Sequence, residues 1–183
     1  MSGSGHRRYV ILLRAIGPVT HRLMSMAAWR DAAEKAEFQG AATFGNTGNM
    51  LADFQGSEGA AAEAMIKVLR GFGLGENIVP IVRPISVVTT LAKALDADVA
   101  DPSQAAVYFF ATTQPDFSWL KDHDGPERIR IVDEHLVVDF TRDANKSGRL
   151  IRQIEKNCGV STARNWNTVR GLAKLAAAQG KMN

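Results

Sequence analysis

Tyr9-Val10-Ile11-Leu12-Leu13 is an unbroken apolar run near the start of the chain. A strand with one solvated face alternates polar and apolar residues. A continuous run bounded by charged residues needs cover on both faces, so this segment is read as the central strand of a sheet. The segments after it limit the topology. A loop at Gly17-Pro18 leads to a helix capped by Ser25, with Met26, Trp29, Ala33 and Ala36 on its apolar face. Gly40 is expected to end that helix. Strands over 41–44 and 49–54 flank Gly45-Asn46-Thr47-Gly48, which is turn chemistry. Ser57 caps a second helix, with Ala62, Met65, Ile66 and Leu69 at spacings of three and four. Glycines 71, 73 and 75 then precede a strand over 78–82. The order is β-α-β-β-α-β, that of a ferredoxin-like unit.

Pro84 opens a linking helix carrying Val88, Leu91 and Leu95, and Asp101-Pro102 breaks it. A second round then begins. A strand covers 106–112, Asp116 caps a short helix through Trp119, and a hairpin of 128–132 and 135–140 turns at Asp133-Glu134. A helix from about Lys146 to Asn157 buries Leu150, Ile151, Ile154 and Cys158 and stops at Gly159. The last segment reads as a C-terminal helix where a fourth strand would complete the pattern. The expected fold class is therefore α+β, with two sequential ferredoxin-like subdomains. Residues 1–6 form a flexible leader, 7–84 the first subdomain, 85–103 a linking helix and loop, and 104–183 the second subdomain with its C-terminal helix. The halves share too little residue identity to be read as a repeat.

Composition narrows the function classes. With 45% hydrophobic and 22% charged residues this is an ordinary globular chain. Cys158 is the single cysteine, so no intrachain disulfide forms and a cytoplasmic setting is expected. No apolar run approaches the ~20 residues of a membrane span, and the first residues lack the form of a signal peptide. The net charge of +3 is small but uneven. Between Arg142 and Asn183 nine lysines and arginines face only Asp143 and Glu155, a local +7 that leaves −4 for the rest. Such an asymmetry can steer an anion.

Familiar catalytic and metal motifs are missing. His6, His21, His123 and His135 never fall at metal-ligand spacing. Asp122-His123-Asp124, followed by Gly125-Pro126, reads as a helix end and turn. No nucleophile elbow or phosphate-binding Gly-Lys-Ser/Thr loop is present. Arg70-Gly71-Phe72-Gly73 imitates an RNA-recognition signature, but it ends a helix and lacks the aromatic continuation. No cofactor, metal or catalytic residue is expected.

Thr162-Ala163-Arg164-Asn165-Trp166-Asn167-Thr168-Val169 resembles the hallmark of the bacterial domain of unknown function 1697 family. Leu12-Leu13-Arg14-Ala15-Ile16 is similar to that family's opening Leu-Leu-Arg-Gly-Ile, and Thr47-Gly48-Asn49 to its Ser-Gly-Asn. The first loop departs from the pattern, with Gly17-Pro18-Val19-Thr20-His21 where the family has Asn-Val-Gly-Gly-His. The resemblance implies a fold of two ferredoxin-like subdomains and supplies no activity. Taken as a helix start, the last motif has Thr162 as N-cap and Ala163 to Asn165 as first turn. Asn165 and Thr168 then share an inward stripe with Leu172 and Leu175. Arg164, together with Trp166 and Arg170 at four-residue spacing, faces a partner. The preceding helix presents Lys146, Arg149, Arg152 and Lys156 opposite its apolar side.

The candidate binding residues are Arg14, Asn49, Arg164, Asn165, Trp166 and Arg170. The function expected is non-enzymatic binding of nucleic acid or another phosphate-bearing partner, by a monomer or small homo-oligomer without membrane attachment. Two alternatives stand beside it: a small-ligand protein or enzyme with a cleft between the subdomains, or a protein-interaction module whose motifs are purely structural.

Overall fold

The apolar run near the front of the chain is the middle of a sheet. In the computed structural model, which describes residues 5–99 and 101–180, β1 (Arg7–Leu13) pairs antiparallel with β3 (Asn49–Phe54) on one side and β4 (Pro80–Pro84) on the other. β2 (Gln39–Thr43) joins the outside of β3, giving the order β2-β3-β1-β4. The second sheet is built the same way. β5 (Ala105–Phe110) lies between β7 (His135–Asp139) and β8 (Ser161–Asn165), with β6 (Arg128–Val132) outside β7. Its order is β6-β7-β5-β8. The fold is α+β, with two four-stranded antiparallel sheets of ferredoxin-like topology and a C-terminal helix. Of the leader expected over 1–6, all but Gly5 and His6 lies outside the described residues.

By internal packing the chain forms two compact units. One comprises residues up to Val88 and those from Leu172 on, and the other comprises Thr89–Gly171. The helices are α1 (Pro18–Leu23), α2 (Met26–Lys35), α3 (Glu58–Gly71), α4 (Ile85–Asp98), α5 (Gly148–Cys158) and α6 (Trp166–Gly180). In the first unit α2 and α3 cover one face of the sheet. Their Trp29, Ala33, Met65 and Leu69 pack with Tyr9, Ile11, Leu13, Met50 and Ala52. The Trp29 indole N–H donates to Met65 Sδ at 3.1 Å, so its polar atom enters the core with a partner. Ser25 and Ser57 cap α2 and α3 by accepting from the amides of Ala28 and Ala60. In the second unit α5 packs Leu150, Ile154 and Cys158 against Tyr108, Phe110, Leu136 and Val138. A 3₁₀ turn over Ser118–Asp122 stands where the first unit has α2.

Several local expectations change. α2 ends at Lys35, five residues before Gly40, because Glu37 takes a left-handed conformation (φ 68°) and turns the chain. Gly40 falls inside β2 instead. On α3 the buried stripe is Ala61, Met65 and Leu69, and Ile66 is exposed. The largest correction concerns Thr162. It does not cap a helix, since 161–165 is the missing fourth strand, paired residue by residue with β5. Ser161 and Thr162 suit a strand as well as a cap, and an unpaired edge beside β5 decides between them.

That fourth strand also uncovers a repeat. Arg83 lies in β4 opposite Val10 of the central strand, and Arg164 lies in β8 opposite Val107 of its central strand. A helix starts two residues after each arginine. The spacing Arg-x4-Val-x2-Leu-Ala-Lys occurs at Arg83, Val88 and Leu91-Ala92-Lys93, and again at Arg164, Val169 and Leu172-Ala173-Lys174. Both valines and both leucines are buried and both lysines exposed. The halves therefore do share a residue pattern, confined to the fourth strand and the helix after it.

The turn before β3 has a strict steric requirement. Gly48 has φ +78°, and an added Cβ would stand 2.8 Å from both Leu13 Cβ and Ile16 Cγ1. Gly48→Ala is expected to cost about 1–3 kcal/mol in urea denaturation from backbone strain, plus the displacement of Leu13. Gly71→Ala, in open space at the end of α3, should be neutral or stabilising by up to about 1 kcal/mol.

Candidate functional site

The segment from Thr162 to Val169 is the end of a strand followed by a helix, and this reverses which side chains face inward. Alternation along β8 buries Thr162 and Arg164 and leaves Ala163 and Asn165 exposed. The Arg164 guanidinium donates through Nη1 to Thr162 Oγ1 at 2.6 Å and to the Ala163 carbonyl at 3.0 Å. Burial pulls its pKa from 12.5 down to about 10, so it remains a cation at neutral pH. Arg164, expected to face a partner, is thus an interior group. Asn165, expected to face the core, is the exposed N-cap of α6, and its Oδ1 accepts from the Thr168 amide at 2.9 Å.

Trp166 and Arg170 meet as their spacing predicts. The Arg170 guanidinium carbon lies 4.6 Å from the centre of the Trp166 ring, a cation–π stack on the first turn of α6. Arg170 is exposed and Trp166 half-buried, and the indole N–H has no hydrogen-bond partner among the described residues. Arg14 and Asn49 belong to the other unit. Asn49 is fully buried and donates from Nδ2 to the Phe44 carbonyl and to Thr47 Oγ1, both at 2.9 Å. Both amide hydrogens are committed to holding the β2–β3 turn. Arg14, half-buried just past β1, reaches the Asn77 carbonyl at 3.5 Å.

A cavity lined by charged and polar side chains lies elsewhere in the second unit. The loop from His123 to Glu127 and the segment from Arg142 to Gln153 enclose about 140 Å³. Glu127 is 8% exposed, with its carboxylate 3.3 Å from His123 Nε2 and 3.5 Å from Arg142 Nη2. Burial alone would raise its pKa. The Ser147 hydroxyl beside it, its own backbone amide, and the charges of His123 and Arg142 outweigh that and hold the carboxyl below its ordinary value. Gly125 lets the loop close, because a Cβ there would collide with Glu127 Oε2 and the His123 ring. Lys146 and Arg149 stand at the rim, and Arg149 pairs with Asp124 at 3.3 Å in an exposed contact. Sequence reasoning took Asp122-His123-Asp124 for a turn and Lys146 to Lys156 for a helix face. The signal it lacked was that the two segments, some twenty residues apart, close on each other through Glu127.

Elsewhere, Cys158 is buried and donates to the Asp116 carbonyl at 3.3 Å. Burial pushes its thiol pKa up, which disfavours the reactive thiolate. Among the described residues no group of three or more His, Cys, Asp or Glu side chains is placed to hold a metal ion. No described helix is long and apolar enough to cross a membrane.

Fold and site together define a tandem ferredoxin-like protein with a buried arginine in the fourth strand of each unit. A family model described as protein of unknown function (DUF1697) matches residues 7–136. The chain belongs to that family. Among the curated proteins none matches the sequence. Among solved structures, a conserved bacterial protein from Streptococcus pneumoniae superposes with a TM-score of 0.71 at 14% identity, covering 93% of this chain and 98% of that one. At that identity the likeness is one of fold.

Two outcomes are expected from this geometry. Asn165→Ala should cost about 1 kcal/mol in chemical denaturation, and Asn165→Ser should recover most of it, because either oxygen can cap α6. Glu127 has a folded pKa below its ordinary 4.5. Its contribution to stability is therefore complete above that value and lost as pH falls through the folded pKa. Glu127→Gln should be less stable at pH 7 and show a shallower loss of stability below pH 4.5 than the native chain. A steeper acid loss in the variant would contradict the assignment.

Proposed function

We propose that this chain is a non-enzymatic binding protein for nucleic acid or another phosphate-bearing partner, engaged through its second unit. The observation that supports this most directly is the division of α5 into two sides. Leu150, Ile154 and Cys158 are buried, whereas Arg149, Arg152 and Lys156, with Lys146 just ahead of the helix, are all exposed. A row of cations on one rigid element can track the phosphates of a strand. The exposed Arg170 and the half-buried indole of Trp166, in the same unit, add a charge and an aromatic edge.

Such binding weakens steeply with salt, because each phosphate contact releases counterions. In fluorescence anisotropy with a single-stranded oligonucleotide, affinity should fall linearly on a log–log plot against salt. With three or four phosphate contacts the slope would be roughly −2 to −3. Arg152→Glu with Lys156→Glu should reduce affinity at least tenfold without changing the unfolding midpoint by more than a few degrees. No binding to single-stranded or duplex probes at low ionic strength would dispose of this reading.

A second reading is favoured by one specific arrangement. Arg164 is buried and donates to its own strand, and Asn165 caps the next helix. These two motif residues therefore have structural employment, which fits a protein-interaction module. On that reading the probes do not bind, while Arg164→Ala lowers stability markedly.

A further inference from the structure

The cavity between the His123–Glu127 loop and the start of α5 has an unbalanced lining. Arg142 Nε, Ser147 Oγ and His123 Nε2 are buried and complete no hydrogen bond of good geometry, although Ser147 and His123 lie close to the Glu127 carboxylate. Ser147 is 1% exposed, and its hydroxyl does not cap α5. Leaving a buried polar atom in this state is unfavourable, because it has given up water without a full replacement. Three of them around one cavity mark a place for something that accepts hydrogen bonds. Each of the three can donate. Lys146 and Arg149 add cations at the mouth, and Gln153 adds an amide to the lining.

The acidic groups nearby are already compensated. Glu127 lies against Arg142 and His123, and Asp124 against Arg149. The Asp124–Arg149 pair is 72% exposed on both sides, so it exchanges for another anion at little cost. A volume of about 140 Å³ is far more than one water requires. Buried donors that share the single Glu127 carboxylate and complete no good hydrogen bond with it, inside a recess with a cationic rim, describe the complement of a second, compact oxyanion.

We propose that this cavity seats a terminal phosphate monoester, as carried by the phosphorylated end of a nucleic-acid strand. The inference rests on the phosphate-binding reading above and specifies where the binding begins. A monoester presents three acceptor oxygens and close to two negative charges at neutral pH. An internal diester is tethered on both sides and carries one charge, so it stays on the surface. Arg149 belongs both to the rim and to the exposed side of α5, with Lys146 just ahead of the helix, so a strand anchored by its end continues past Arg152 and Lys156.

The test compares two oligonucleotides of one sequence, labelled at the 3′ end and carrying either a 5′-phosphate or a 5′-hydroxyl, with phenyl phosphate titrated separately by calorimetry. The phosphorylated strand should bind at least tenfold more tightly. Lys146→Ala and Ser147→Ala should shrink that ratio toward one, and the exposed Lys146 keeps the test valid if Ser147→Ala fails to fold. Arg152→Ala, outside the cavity, should weaken both strands alike and leave the ratio intact. Equal binding of the two strands overturns the cavity assignment and leaves the surface reading standing. Binding of phenyl phosphate but of neither strand, with loss in Lys146→Ala, supports the cavity and overturns nucleic acid as its source. If nothing binds at low salt, both readings fall.

Discussion

Each unit depends on a central strand that is hydrogen-bonded along both edges and buried on both faces. Val10, Ile11 and Leu12 in β1, and Val107 and Phe109 in β5, are wholly enclosed. Every backbone group of such a strand must find its partner inside the sheet, because water is not available to supply one. The flanking strands are therefore obligatory, and so is the tight approach that brings the Gly48 turn against Leu13. The Leu13 amide donates to the Gly48 carbonyl at 2.8 Å, and the buried Asn49 then holds the turn closed. The helices arise from the same constraint, since α2 and α3 in the first unit and α5 in the second seal one face of the sheet.

Arg164 gains meaning from its counterpart in the first unit. Arg83 and Arg164 occupy the same register position in the fourth strand, and both are nearly fully buried. Each donates through Nη1 to the carbonyl of the residue before it, Val82 at 2.7 Å and Ala163 at 3.0 Å. The bond to the preceding carbonyl is common to both units, whereas the other contacts differ: Arg83 lies 3.7 Å from the Glu58 carboxylate, and Arg164 donates to Thr162 Oγ1. The differences between the repeats are informative for function. Where the first has Pro84, Ile85 and Thr89, the second has Asn165, Trp166 and Arg170, and there the cap and the cation–π stack reside.

The polar resources of the second unit are thus divided between fold and surface. Arg164, Thr162 and Asn165 are consumed by β8 and the start of α6. Glu127, His123 and Arg142 join a loop to the segment leading into α5. Lys146, Arg149, Arg152, Lys156 and Arg170 remain exposed, and the local excess of positive charge reaches solvent through them. The uneven charge visible in composition therefore reaches solvent largely on α5 and the residues before it, where Arg149 pairs with Asp124 and Glu155 is also exposed.

The β-α-β-β-α-β order of the first unit apart from the short α1, the central placement of 9–13, the hairpin at Asp133-Glu134 and the caps Ser25 and Ser57 were legible in the residues. They arise from local periodicity and from side chains that bond to their own backbone a few positions away. The spacing of Trp166 and Arg170 was legible for the same reason, as one helical turn fixes it. The state of 161–165 was not, because Ser-Thr-Ala-Arg-Asn has no strong preference and only the open edge of β5 makes it a strand. That one decision turned Arg164 inward and Asn165 outward, since a strand alternates at every residue and a helix does not. The Glu127 cavity was invisible for a related reason. Its two walls are separate in sequence, and burial, which pairs their charges, exists only after the chain has closed.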